Sequence, residues 1–510
     1  MYPPLAHHPR HSKTELRRSN LGKIFLVTAL LAASAVAQTV TANFANRSTA
    51  THSIPSRMFG INTAALKNTS VLSQVRQAGI SESRKMADIP QVYATSSPDW
   101  SEFDWGVSLA QSQGLHPLIT LFQTPSWLQP SPNPCPSGLH DNAPPKDVNE
   151  WARIAASYVA HLDSKFRGVV QDYEIWNEPE LQKSFCVADN QTSTRISTYL
   201  SLYAAAASAM KAQAQRDGVS IRIGGPTVSN FVLAKQWIPA LVSDSATRPY
   251  VDFISYHMYL TGGSDILSGM TWGQLYSKTQ STAGGEVYDY LVDLDLVLKG
   301  LQPNAGTTPL YITEFNDNWV FAKDCCRNDP TFGPLWNTVS IVDFLNSVYA
   351  GAPHVPGKLF YFAGSAYPYF CIAGEWNSEM NCSTSSMSLY PQYYAYKLLA
   401  SPSYLGLTNG GHMASSVSPV NTQSGLLATA FFTSTQDSVV VVNPTSTSYS
   451  SVRVVASNTG YSSAVGKKFL LNRSNPHITT SSQALTKITG GFEATISVPA
   501  YSTVAVTIAP

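Results

Sequence analysis

From about residue 57 to residue 400, short apolar runs alternate with longer stretches whose apolar positions recur at helical spacing. Eight runs read as strands: Arg57–Asn62, Ile80–Met86, Pro117–Phe122, Val170–Trp176, Ile221–Gly225, Phe253–His257, Leu310–Glu314 and Lys358–Ala363. Between them, Asp147–Phe166 sets Trp151, Ile154, Ala155, Tyr158, Val159 and Leu162 on one face, because side chains three and four apart are neighbours on a helix. Thr194–Gln213 is rich in Ala and Leu, Glu286–Leu301 spaces Tyr288, Leu291, Leu294 and Leu298, and Pro334–Ala350 ends the series. Strands alternating with helices predict a parallel sheet wrapped by helices. Eight such units over residues 58–402 predict an α/β fold of the closed (β/α)8 TIM-barrel type. An open doubly wound sheet is the alternative, and it lacks a Gly-rich dinucleotide loop after the first strand.

The pattern changes after Leu399. Residues 403–510 are rich in Ser, Thr and Val, with β-type runs at Ala428–Thr433, Asp437–Val442, Ser451–Ala456, Ala494–Pro499 and Thr503–Ile508. Turn residues separate them, which predicts an antiparallel β-sandwich. Residues 38–57 alternate, as in Gln38–Phe44, and are expected to join that domain. Trp376 is the last tryptophan of the chain, so the β-domain has no indole platform for a sugar and a structural role is favoured over carbohydrate binding.

At the other end, Lys13, Arg17, Arg18 and Lys23 precede the apolar run Ile24–Ala37, and Ala35-Val36-Ala37 supplies small residues for cleavage. Residues 1–37 therefore read as a signal peptide, with an uncleaved anchor as the alternative. The run falls short of the about 20 residues of a membrane span, so no membrane association is expected after cleavage. Only 13% of residues are charged, about half the usual share, as in many secreted proteins. A formal net charge of +1 gives no attraction to nucleic acid. Asn46, Asn68, Asn190, Asn381 and Asn472 lie in Asn-X-Ser/Thr sequons, which matter only in a glycosylating source.

Six cysteines, an even number, suit disulfides in an exported chain, and no cysteine spacing suggests zinc. All six fall in loops after predicted strands three, four, seven and eight. The expected pairings are Cys135–Cys186 and Cys371–Cys382, with Cys325-Cys326 as a vicinal pair after Glu314. Bracing of a pre-organised pocket and plain extracellular stapling are both open readings.

Two predicted strands end on a carboxylate: Tyr173-Glu174-Ile175-Trp176-Asn177-Glu178-Pro179 and Leu310-Tyr311-Ile312-Thr313-Glu314-Phe315. In a barrel the fourth and seventh strands lie nearly opposite, so Glu178 and Glu314 can converge across the C-terminal mouth. Paired carboxyl groups are what glycosidic cleavage needs, one to protonate the leaving oxygen and one to stabilise the oxocarbenium-like carbon. The Asn177 amide can bond a sugar hydroxyl. His257 and Tyr259, at the end of the sixth strand, either line the site or pack beneath it. Trp127, Trp319 and Trp376 lie in loops after strands three, seven and eight and could stack on sugar rings, whereas Trp176 reads as core.

Ile175-Trp176-Asn177-Glu178-Pro179 and Ile312-Thr313-Glu314-Phe315 resemble the fourth- and seventh-strand signatures of clan A glycoside hydrolases. The run Asp252-Phe253-Ile254-Ser255-Tyr256-His257-Met258-Tyr259 is similar to glycoside hydrolase family 39, the family of β-xylosidases and α-L-iduronidases. The resemblance implies a secreted retaining glycoside hydrolase acting on a carbohydrate substrate, with Glu178 as acid/base and Glu314 as nucleophile. It also implies that Arg84 steadies the nucleophile, and it calls for no metal or organic cofactor. A transglycosylase or an endo-acting glycanase on the same scaffold is the alternative, and a non-catalytic sugar-binding protein is a further one.

Overall fold

A strand that is apolar along its whole length must be covered on both faces, and a ring of such strands inside a ring of helices does this. The computed structural model of the chain describes residues 38–62, 69–229, 231–261, 308–318, 333–350, 352, 354–362, 375–376, 382–383, 389, 391–420, 425–475 and 477–510. After β1 (Gln38–Asn43) come β2 (Phe59–Asn62), β3 (Glu82–Asp88), β4 (His116–Phe122) and β5 (Asp172–Ile175). These are followed by β6 (Arg222–Val228), β7 (Phe253–Thr261), β8 (Leu310–Asn318) and β9 (Lys358–Tyr361). Strands β2 to β9 form a closed barrel in sequence order. The last pairs with the first, in parallel, through Phe59↔Leu359 and Ile61↔Tyr361.

The helix Val148–Phe166 is N-capped by Asp147, whose carboxylate accepts from the backbone N–H of Asn149 at 2.9 Å and of Glu150 at 3.2 Å. Its expected face (Trp151, Ile154, Ala155, Tyr158, Val159 and Leu162) is buried against the barrel. The helix Thr192–Asp217 runs past its expected end and stops at Gly218, which takes the left-handed φ of 68° suited to a glycine cap. Shorter helices at Thr69–Gln77, Ser101–Ser112, Phe231–Ser243 and Pro391–Ala400 fill further connections. The expected helix Glu286–Leu301, residues 1–37, Trp319, Cys325, Cys326 and Cys371, and the side chains of Trp376 and Cys382, lie outside the described residues.

Inside the barrel, side chains stack in layers. Leu118, Phe253, Tyr311 and Phe360 form an apolar layer, with Phe253 and Tyr311 stacked at 4.2 Å between ring centroids. Gly60 and Gly224 make room for it. A Cβ on Gly60 would stand 2.4 Å from Phe360, and one on Gly224 would stand 2.3 Å from Phe253. At the N-terminal ends of β3, β5 and β9 lies an ionic layer. Lys358 donates to Glu82 and, at 2.6 Å, to Asp172. Arg222 grips Asp172 in a fork at 2.6 and 2.9 Å, and Arg57 comes within 3.2 Å of Glu82. Burial pushes the Glu82 carboxyl up despite Lys358. Burial also opposes the Asp172 charge, but Lys358 and Arg222 together outweigh it and hold that group below its ordinary range.

After the barrel, β10 (Glu375–Trp376) and β11 (Cys382–Ser383) pair antiparallel, and the β-domain that follows has two sheets. The five-stranded one runs β13 (Ser416–Ser418), β1, β16 (Tyr449–Ser457), β20 (Gly491–Val498), β19 (Thr486–Ile488). The six-stranded one runs β12 (His412–Met413), β14 (Leu427–Phe432), β15 (Asp437–Asn443), β21 (Ser502–Ala509), β17 (Val465–Asn472), β18 (Thr479–Gln483). The pairings are antiparallel except that of β1 with β16, which is parallel from Gln38↔Val452 to Asn43↔Ser457. The N-terminal strand thus closes the C-terminal sandwich. Strands β14, β15 and β21 are buried on both faces. Ala428, Ala430, Val439, Val441, Val504 and Val506 fill the sandwich core, whereas Leu427, Phe431, Val440, Val442 and Ala505 face the barrel. Asn346 and Tyr349, beside that contact, donate to the carbonyls of Ala428 at 2.8 Å and Ala414 at 3.1 Å.

Replacing Lys358 with Met removes the cation that two buried carboxylates share. Breaking a buried ion pair from one side costs about 3–5 kcal/mol. Urea denaturation of Lys358→Met at pH 7 should show a loss of that size. The loss should shrink at pH 4, where Glu82, with its raised pKa, takes up a proton. A loss under about 1 kcal/mol, or one independent of pH, would contradict the shared-cation reading.

Candidate active site

The C-terminal half of the barrel carries a second charged layer, two residues along the strands from the first. Period two puts Arg84 above Glu82 on β3 and Glu174 above Asp172 on β5, all facing inward. Arg84 is 1% exposed and uses its whole guanidinium. Nε donates to Glu174 Oε2 at 2.7 Å, Nη1 to Glu314 Oε1 at 2.7 Å and Nη2 to Asn177 Oδ1 at 2.8 Å. Thr120 adds a hydrogen bond to Glu174 Oε2 at 2.7 Å. Asn62 holds its amide between the carbonyls of Thr313 and Tyr361, at 3.1 and 3.4 Å, with its oxygen 3.4 Å from Arg84 Nη1. The rigid fork of arginine suits this arrangement, because one cation must meet two carboxylates and an amide at fixed angles.

Glu314 reaches this layer through a bulge. Between the pairs Tyr256↔Ile312 and His257↔Glu314, β8 carries one residue more than β7, and that residue is Thr313. Such an insertion re-aims the next side chain. Glu314 is 7% exposed. Its second oxygen accepts the Tyr259 hydroxyl at 2.6 Å. Burial, and then the charge of Glu314, push the Tyr259 pKa well above its usual value, so the phenol remains a donor.

Glu178 arrives by a different route. The strand expected through Trp176 ends at Ile175, because Trp176 turns to φ 70° and Glu178 to φ 48°. Neither is glycine, and left-handed backbone of this kind costs on the order of 1–3 kcal/mol per residue unless its surroundings fix it. Fixation comes from β6. Glu178 N donates to the Thr227 carbonyl at 3.1 Å, and the Thr227 hydroxyl donates to the Trp176 carbonyl at 3.1 Å. The Trp176 indole is buried and donates to Ser184 O at 2.8 Å, as core.

His257 lies between the two acids. Its Nδ1 is 3.2 Å from Glu178 Oε1 and 3.4 Å from Glu314 Oε2. Burial opposes an imidazolium there, but Glu314 and Glu178 outweigh it and raise the His257 pKa. Burial likewise disfavours the Glu178 anion, yet the His257 cation beside it holds Glu178 below its ordinary range. Among the described residues, Glu178, His257 and Glu314 alone bring three acidic, His or Cys groups within a shared 4.8 Å. Their facing atoms are engaged with one another, with Arg84 and with Tyr259, an arrangement suited to proton and glycosyl transfer.

The structure thus brings Arg84, Asn177, Glu178, His257, Tyr259 and Glu314 together. Trp127 is tied elsewhere: its indole donates to Tyr93 O at 3.0 Å and its ring packs on the core. Glu174, Asn62 and Thr120 join the site without standing out in the sequence motifs. Glu174 had a signal, since Asp172 and Glu174 alternate with Tyr173 and Ile175 in a buried strand and must share a face. Asn62 and Thr120 are neutral and had none. Cys135 and Cys186 form a disulfide, joining the loop after β4 to the loop after β5. Beside it Asn142 bridges the same loops, accepting from Gln123 at 2.9 Å and donating to Lys183 O at 2.8 Å.

The chain is similar to known proteins in sequence profile and in fold. The sequence profile of Glycosyl hydrolases family 39 matches residues 93–348, half the chain. Among solved structures, a monomeric β-xylosidase from Caulobacter crescentus is 14% identical with a TM-score of 0.63, covering 93% of this chain and 100% of its own. A family 39 enzyme from Xanthomonas axonopodis pv. citri is 14% identical with a TM-score of 0.62, covering 93% and 97%. A family 30 endoxylanase from Clostridium papyrosolvens is 15% identical with a TM-score of 0.61, covering 93% and 100%. No curated protein sequence matches the chain at a significant level. With a family profile matched over half its length and the barrel fold of those enzymes, the chain belongs to glycosyl hydrolase family 39 and is a glycoside hydrolase.

Proposed function

We propose that the enzyme is exported and hydrolyses β-xylosidic bonds with retention, Glu314 being the nucleophile and Glu178 the acid/base. The observation that carries this reading is that carboxylate oxygens of Glu178 and Glu314 lie within 4.8 Å of one another. Inverting enzymes separate the two groups by about 6.5–9.5 Å to admit a water, while retaining ones hold them about 5–5.5 Å apart. The β-xylosidic substrate class is supported by the β-xylosidase and endoxylanase among the similar structures. Export is supported by the basic and then apolar N-terminus and by the disulfide. No helix among the described residues is long and apolar enough to cross a membrane.

Glu314 attacks the anomeric carbon as the bond to the leaving oxygen breaks and the Glu178 proton passes to that oxygen. Water then attacks the same carbon, giving its proton to Glu178 and releasing the Glu314 carboxylate. Arg84 and Tyr259 hold Glu314 aimed through one hydrogen bond to each of its oxygens, and the Asn177 amide nitrogen can reach a hydroxyl next to the reacting carbon while its oxygen is fixed by Arg84.

The proton for the first step belongs to the Glu178–His257 pair. Their contact raises the His257 pKa and lowers that of Glu178, so the proton is shared across the pair and is delivered through Glu178. The two groups lose it with an apparent pKa that belongs to the pair and lies above an ordinary carboxylate value. The alkaline limb of kcat/KM reports this loss in the free enzyme. His257→Asn leaves the proton on Glu178 alone, so the limb should move to lower pH. A limb that stays in place, or moves up, would contradict the shared proton.

The function is tested by turnover of aryl β-D-xyloside, β-D-glucoside, β-D-galactoside, α-L-arabinoside and uronide substrates. The xyloside should turn over with a β-configured first product. Glu314→Ala should lose on the order of 10⁴-fold in kcat. Added azide should restore part of it, as the inverted α-glycosyl azide. Activity that survives Glu314→Ala would sink the mechanism, and silence on the xyloside with turnover of another sugar would sink the substrate assignment.

A further inference from the structure

Glu180 stands two residues beyond Glu178 and is 5% exposed, although no step above uses it. A buried carboxyl beside an acid/base needs a reason. Its Oε1 accepts the backbone N–H of Ser229 at 2.6 Å. Burial pushes its pKa up to about 7, against the hydrogen bonding from Ser229, so at acidic pH the group is neutral and adds no like charge beside Glu178. Ser229 directly follows β6, the strand whose Thr227 already meets the acid turn.

Three contacts therefore join the turn to that segment: Glu178 N to Thr227 O, the Thr227 hydroxyl to Trp176 O, and Ser229 N to Glu180 Oε1. The first two lie at or before Glu178, and the third lies after it. Trp176 and Glu178 hold left-handed φ values, and so does Thr227 at 55°. A chain in that conformation stays put only when both sides are held. Leu181 N returns to Glu178 O at 3.1 Å, so the segment after Glu178 is a tight turn that carries Glu180.

We propose that Glu180 is a positioning residue for proton transfer. By tying the far side of the turn to Ser229, it holds the Glu178 carboxyl where it reaches the leaving-group oxygen. The proposal rests on the reading of Glu178 as the acid. It also predicts that Glu180 matters in proportion to how much the leaving group needs a proton. A 2,4-dinitrophenolate departs without protonation, whereas a methoxide does not.

The experiment compares kcat/KM for methyl β-D-xyloside and 2,4-dinitrophenyl β-D-xyloside in wild type, Glu180→Ala, Glu180→Gln and Glu178→Ala. Displacing a catalytic group by about 1 Å costs on the order of 100-fold. Glu180→Ala should lose about that much on the methyl glycoside and under about threefold on the dinitrophenyl one. Glu180→Gln, which keeps an acceptor for Ser229 N–H, should restore most of the loss. If Glu180→Ala does not fold, Glu180→Asp replaces it, being one methylene too short to make the same bond. Equal losses on both substrates, no loss on either, or no rescue by Gln would overturn the proposal while leaving Glu178 as the acid. A Glu178→Ala variant without the leaving-group split would remove the acid assignment itself.

Discussion

One guanidinium organises the mouth of this barrel. Arg84, on the second barrel strand, meets Glu174 from the fourth, Glu314 from the seventh and Asn177 from the turn after the fourth. Two buried carboxylates around a point charge would be free to slide, whereas a planar fork fixes direction as well as charge. Glu174 makes the arrangement possible. It neutralises part of Arg84 from below and is itself held by Thr120, so Glu314 can be bound without being the sole counter-ion. Glu314 thereby keeps an oxygen for Tyr259 and an orientation toward Glu178.

The same two-residue period builds the layer underneath. Glu82, Asp172 and Lys358 close the barrel floor, an apolar layer of Leu118, Phe253, Tyr311 and Phe360 lies in the interior, and Arg84 and Glu174 form the base of the site. A position on β3 or β5 that faces inward must belong to one of these layers, which is why charge recurs at 82, 84, 172 and 174. Irregular backbone then breaks the period where chemistry needs it. The extra residue Thr313 swings Glu314 inward, and the left-handed Trp176 and Glu178 lift the Glu178 carboxyl off the end of its strand and against Thr227 of β6.

This division explains what could be read in the sequence. Strand order, the barrel and the β-domain follow from apolar runs and their spacing, so they were legible, as was the convergence of two strand-terminal glutamates. Strand ends were less so: Trp176 extends an apolar run, and nothing in a tryptophan announces positive φ. The bulge at Thr313 was equally silent, because any β-branched residue continues a strand. Glu174 was legible by parity but was overshadowed by its neighbour Glu178. Trp127 was legible as a loop tryptophan, whereas the bond from its N–H to the Tyr93 carbonyl depends on the three-dimensional fold. Asn62 and Thr120 owe their place to three-dimensional neighbours alone.

Arg84 and Tyr259 hold Glu314 opposite Glu178, and the nucleophilic role proposed for Glu314 is tested by trapping the covalent intermediate. A 2-deoxy-2-fluoro-β-D-xylosyl fluoride would slow both steps and, with its good leaving group, let the glycosyl-enzyme accumulate. Peptide mass spectrometry of the inactivated protein should place the fluorosugar on Glu314. A label on any other residue, or an unlabelled enzyme that still turns over xylosides, would contradict the account.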